Sequence, residues 1–190
     1  MISAKLGHFL DKPLSPIARH ITISPNVLSL TGFALTVTAA MLIPFHTEAG
    51  GFMILVGGAF DLLDGVVARA NGKDTKFGAL FDSTLDRYAD AALFLAVMLL
   101  LFRGNDLIGA LFAIGGLVGA FLVSYVRARA EGLGIACNVG LIERPERIVL
   151  LAFGCMTGTL FMIVIVLFLL GHITVLQRVV HVYRKTHYSV

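Results

Sequence analysis

The chain has 190 residues, 57% of them hydrophobic and 14% charged, with a formal net charge of +3 and a mean hydropathy of +0.89. This is too apolar for an ordinary soluble domain and points to lipid as the solvent. The two cysteines, Cys137 and Cys155, stand far apart without metal-ligand spacing, which argues against a disulfide framework and for small apolar or loop residues.

Residues 1–20 mix Lys5, Asp11, Lys12 and Arg19 with two prolines and lack the compact apolar segment of a signal peptide. Ile2, Leu6, Phe9, Leu10, Leu14 and Ile17 instead mark the apolar stripe of an N-terminal amphipathic helix lying on the membrane surface. Ser24-Pro25-Asn26 reads as a helix start, with Ser24 as N-cap and Pro25 at the first helical position. A first crossing then runs from Pro25 to Ile43 and stops near Pro44. A second runs from Phe52 to Arg69, and Asn71-Gly72-Lys73-Asp74 is a turn. The third covers Thr75 to Phe102 and the fourth Leu107 to Glu131, separated by Arg103-Gly104-Asn105-Asp106. Gly132–Gly140 is a loop, after which Glu143-Arg144-Pro145-Glu146-Arg147 leads a fifth helix to Met156. A sixth spans Thr159 to Val180 and ends in a basic tail. At roughly 20 apolar residues per crossing, the chain holds about six transmembrane helices and no separate soluble domain. The expectation is an all-α integral membrane protein, one domain over residues 1–190, because a helix satisfies its own backbone in lipid.

With the N-terminus inside, Arg103 alone among the lysines and arginines falls in an outside turn, while Arg87 lies within the third crossing near its inner end. That asymmetry follows the positive-inside rule and places the basic loops at the cytoplasmic face of the cell membrane. The basic residues are spread over membrane-flanking loops instead of one solvated face, which argues for anionic headgroups or phosphorylated substrates and against nucleic acid.

The acids are the informative feature. Asp61 and Asp64 lie three residues apart inside the second crossing, and Asp82 and Asp86 lie four apart inside the third. Each pair shares a helix face, and the short turn makes the two helices antiparallel neighbours. Unpaired carboxylates in hydrocarbon cost several kcal/mol, so four converging acids ask for a cation. All-oxygen ligands suit Mg²⁺, or Mn²⁺, better than zinc. Salt bridges to Arg69 and Arg87 alone would leave some of these acids unneutralised. Gly65 follows the second acid, Gly78 precedes the third, and Arg69 shares the face of Asp61 and Asp64, where its fork could hold a diphosphate.

Asp61-Leu62-Leu63-Asp64-Gly65-Val66-Val67-Ala68-Arg69, followed at fixed spacing by Gly78, Asp82 and Asp86, matches the signature of the CDP-alcohol phosphotransferase family without a gap. Eight fixed positions fall within 26 residues. The resemblance implies a six-helix fold, usually homodimeric, with its active site at the cytoplasmic face. It implies that Asp61, Asp64, Asp82 and Asp86 bind the metal and that Asp86 is also the general base. Gly65, Ala68, Arg69, Thr75 and Gly78 would line the CDP site. The implied reaction moves a phosphatidyl-type group from a CDP-linked lipid to an alcohol and releases CMP.

The acceptor is narrowed by Asp82-Ser83-Thr84-Leu85-Asp86-Arg87, which departs from the Asp-Pro-x-Ala-Asp-Lys of phosphatidylglycerophosphate synthases. The chain looks more like the inositol-phosphate-using members, also through Ser124-Tyr125-Val126-Arg127, Glu143-Arg144-Pro145-Glu146-Arg147 and Gln177-Arg178. By that resemblance Ser124, Arg127, Arg147 and Arg178 hold the acceptor's phosphate, with an arginine at 127 where those members carry lysine. A point charge is thereby exchanged for a bidentate fork. The acceptor expected is myo-inositol phosphate, with glycerol 3-phosphate the alternative. A divalent-cation transporter would not need the glycine and arginine spacing. A membrane prenyltransferase would carry acidic motifs on separate helix pairs.

Overall fold

The protein is described by a computed structural model, covering residues 18, 20, 21 and 23–187. The surface helix expected over residues 1–20 therefore lies outside the described residues, save Ala18 and His20. The described residues form six helices and no strand: α1 Pro25–Leu42, α2 Thr47–Ala70, α3 Lys76–Arg103, α4 Leu107–Gly132, α5 Arg144–Thr157 and α6 Leu160–His187.

The α1 start is as expected in its backbone, with Ser24 at the N-cap and Pro25 leading, but the Ser24 side chain makes no capping hydrogen bond. Two boundaries differ more. Helix α2 begins at Thr47, ahead of the expected Phe52, because Gly50 and Gly51 are helical and make close helix contacts. A Cβ on Gly51 would lie 2.9 Å from the Ala152 carbonyl, so α5 rests almost backbone to backbone on α2. Helix α6 runs past Val180 to His187, as its basic last turn can leave the bilayer while still helical.

Four helices, α1, α2, α4 and α6, are long and apolar enough to cross a membrane. Helix α3 is long enough but carries Asp82, Asp86, Arg87 and Asp90 between its start and its midpoint region. Helix α5 has 14 residues and at 1.5 Å per residue reaches roughly 21 Å, less than a hydrocarbon core of about 30 Å. Leu93, Phe94, Val97, Ala120, Leu151, Val164 and Leu167 form the buried core, while Met41, Phe52, Leu111 and Met162 point outward.

The pairing of helices corrects one expectation. Helix α1 packs most extensively on α2, α4 on α6, and α3 against both α1 and α4. Although only residues 71–75 join them, α2 and α3 share no extensive contact. The reason is the close approach of α1 to α2. A Cβ on Gly57 would lie 3.1 Å from the Gly32 carbonyl and 2.5 Å from Thr36 Oγ1, so α1 takes the neighbour position. The turn is closed by Lys73 N–H donating to the Ala68 carbonyl (2.9 Å) and by Gly72 at φ +59°, a backbone region that favours glycine. The acids of α2 and α3 thus face each other across a gap.

Candidate active site

Asp61, Asp64 and Asp82 each present an oxygen within 4.8 Å of the others'. Three hard carboxylate donors at this spacing fit a divalent cation. Asp64 is buried and accepts a hydrogen bond from Ser29 Oγ of α1. Asp86 stands outside this trio. It is held by arginines, with Oδ2 at 3.2 Å from Arg87 Nη1 and Oδ1 at 2.8 Å from Arg144 Nη1.

Arg144 also pairs with Asp61 and lies 3.8 Å from Asp90. Counter-charge at the acids therefore comes chiefly from the first residue of α5, which the local spacing did not reveal. Arg87 makes a direct ion pair with one of these acids, Asp86. Pro145 at the start of α5 and the Glu146 carboxylate accepting from Glu143 N–H (3.1 Å) fix where that helix begins, and hence where Arg144 sits.

Two cavities flank the acids. One, of about 210 Å³, is lined by Ser29, Asp64, Gly65, Ala68, Arg69, Thr75, Gly78 and Asp82, among others. All five residues expected at the CDP site line this cavity. Thr75 has a second task there: its Oγ1 accepts from Gly78 N–H at 2.9 Å and caps α3. The second cavity, of about 650 Å³, is lined by Asp86, Arg87, Ser124, Arg127, Glu143, Arg144, Arg147 and Arg178, among others. All four residues expected at the acceptor phosphate are among them, contributed by α4, α5 and α6.

These four differ in their commitments. Arg178 is buried and gives Nε to the Val139 carbonyl (2.9 Å), Nη1 to the Val123 carbonyl (2.6 Å) and Nη2 to Glu143 (2.9 Å). Arg127 is tied to Glu131 (2.9 Å) and Glu143 (3.2 Å). Ser124 Oγ donates to the Ala120 carbonyl at 3.3 Å. Arg147 is buried and donates Nη2 to Asp90 at 2.6 Å, yet its Nε and Nη1 have no partner among the described residues.

A family model described as CDP-alcohol phosphatidyltransferase matches residues 22–185. The chain belongs to this family. It is 39% identical over 179 residues to the archaetidylinositol phosphate synthase of Methanothermobacter thermautotrophicus, covering 90% of this chain and 89% of that protein. It is 38% identical to the phosphatidylinositol phosphate synthase of Corynebacterium glutamicum over 79% of this chain and 70% of that one. Among solved structures, the phosphatidylinositol phosphate synthase of Mycobacterium tuberculosis with CDP-DAG bound superposes with a TM-score of 0.81 at 32% identity, covering 89% and 92% of the two chains. The same enzyme in complex with manganese and citrate gives a TM-score of 0.82 at 31% identity, over 89% and 88%.

For a CDP-alcohol phosphatidyltransferase, the signature acids were legible, but of their partners only Arg87 was. Ser29, Asp90, Glu143 and Arg144 went unassigned. Asp90 alone left a usable trace, since it continues the i, i+4 spacing of Asp82 and Asp86 by one more turn. In this phosphatidyltransferase both cysteines are free and buried.

Proposed function

We propose that this chain transfers a phosphatidyl-type group from a CDP-linked lipid to myo-inositol phosphate and releases CMP. The observation that carries the reading is the pair of cavities. One holds the signature glycines and Arg69, the other gathers arginines from three helices, and the acids lie between them. An arginine-lined chamber at a membrane enzyme asks for an anionic acceptor. The names of the archaeal and actinobacterial relatives support inositol phosphate as that acceptor, and the CDP-DAG-bound structure supports the donor.

The acceptor hydroxyl oxygen forms a bond to the lipid-linked β-phosphorus, and the bond from that phosphorus to CMP breaks. The hydroxyl proton passes to Asp86, the one signature acid lining the arginine-rich cavity. Arg147, with Arg127, Ser124 and Arg178, holds the acceptor's phosphate. Gly65 and Ala68 make room for the nucleotide, and Arg69 faces the diphosphate. Asp61, Asp64 and Asp82, with Asp86, would hold Mg²⁺ (or Mn²⁺), which neutralises diphosphate charge. The trio's geometry and the manganese complex of the Mycobacterium tuberculosis enzyme support a divalent cation.

The same proposal gives a single domain crossing the plasma membrane six times, the site at the cytoplasmic face, the N-terminal segment on the surface, and a homodimer. The one-sided distribution of lysine and arginine supports the orientation. The test is acceptor-dependent CMP release from purified protein with CDP-diacylglycerol or an ether-linked donor and Mg²⁺, beside an Asp86→Asn control. Release with inositol phosphate alone, lost in the control, is expected. Release only with glycerol 3-phosphate would keep the mechanism and replace the acceptor. No release with any pair would sink the enzymatic reading and favour cation transport.

A further inference from the structure

We propose that Asp90 is a positioning residue: from α3 it anchors the buried guanidinium of Arg147, so that the arginine's remaining donors serve the phosphorylated acceptor. The inference rests on the functional reading above and adds a residue beyond the family signature.

Asp90 lies one turn beyond Asp86 on the same face of α3 and is only 2% exposed. It lines neither flanking cavity and is not among the three acids whose oxygens cluster. Its partners are arginines: Oδ2 is 2.6 Å from Arg147 Nη2, and Oδ1 is 3.8 Å from Arg144 Nε. A carboxylate at this depth is tolerated only when paired, and so is the guanidinium of Arg147, which is 1% exposed. Each neutralises the other.

What sets Arg147 apart is the remainder of its donors. Arg178 spends its nitrogens on two backbone carbonyls and Glu143, and Arg127 is tied to two glutamates. Arg147 lines the large cavity with Nε and Nη1 buried and unpartnered. Buried donors are nearly always satisfied, so an anion in that cavity is the natural complement. The direction of those donors depends on what grips Nη2, and Asp90 alone does so among the described residues. The next acids within the site, Asp86 and Asp61, are already paired with Arg144. Without Asp90, Arg147 would compete for those acids instead of facing the acceptor.

The experiment measures KM for inositol phosphate and for CDP-lipid separately, in wild type, Asp90→Asn, Arg147→Ala and the double variant. Asp90→Asn should raise the acceptor KM about tenfold and leave the donor KM within about twofold. In the Arg147→Ala background it should add little, because the carboxylate acts through that arginine. Asp90→Glu retains the charge on a longer stem and should fall between wild type and Asp90→Asn in acceptor KM alone. If Asp90→Asn does not fold, this variant carries the test. Equal shifts in both KM values, or fully additive losses in the double variant, overturn the proposal. A wild-type protein that releases no CMP with any acceptor overturns the functional reading itself, which separates the two failures.

Discussion

Arg144 Nη1 lies 2.8 Å from Asp86 Oδ1 and also binds Asp61, so one guanidinium from α5 ties the last acid of the signature to the first. Breaking a buried pair by removing one partner costs about 3–5 kcal/mol, because the remaining charge is left uncompensated. Arg144→Gln should therefore lower the thermal unfolding midpoint in chelator, and added Mg²⁺ should recover much of the difference by binding the folded acids. A gap to wild type that is equal with and without the cation would show that Arg144 is not their counter-charge.

Asp64→Asn and Asp82→Asn should each lower CMP release at least about 100-fold, since even outer-shell partners of a metal site cost 10–100-fold. Chelation should abolish wild-type turnover and Mg²⁺ should restore it. Either variant retaining near-normal rates under saturating Mg²⁺ would remove that carboxylate from the proposed metal set.

Gly65→Ala tests the smaller cavity. The new Cβ would lie 3.2 Å from Arg69 Nη1, so the guanidinium must shift. A displaced diphosphate contact should raise the KM for the CDP-lipid about tenfold while sparing that for the acceptor. Separate titrations of the two substrates read this directly, and a change confined to the acceptor would contradict the assignment of the cavities.

Thr174 is fully buried in α6, and its Oγ1 accepts from Leu141 N–H (3.1 Å) and Ile142 N–H (3.2 Å). Thr174→Val keeps the shape but strands those donors, a cost of about 1–3 kcal/mol. The stretch just before Glu143 should loosen, lowering the unfolding midpoint and weakening acceptor binding more than donor binding. Unchanged stability would mean that water takes over both donors.

How far the sequence reached can be argued from single residues. Helix class and most boundaries follow from apolar runs punctuated by Gly72, Gly104 and Gly158, and the acids follow from spacing on a helix face. The relation of α2 to α3 did not, because a five-residue turn implies adjacency. The Gly32–Gly57 approach that inserts α1 is a contact between glycines on different helices, which no local pattern displays. Arg144 was hidden for a related reason. It is separated from Asp61 and Asp86 by whole helices and reaches them only because α5 packs on α2. The arginines expected at the acceptor were named through resemblance and line one cavity, but resemblance did not show that Arg178 is spent on the scaffold while Arg147 keeps unpartnered donors.

Among the described residues the two cavities share a single lining residue, Ala79 of α3. Under the proposed assignment each reactant has its own berth, and both can be resident when the phosphorus changes hands. No covalent stopover on the protein is required. Double-reciprocal plots for the two substrates should therefore intersect instead of running parallel, and labelled CMP should not exchange into CDP-lipid unless the acceptor or its product is present.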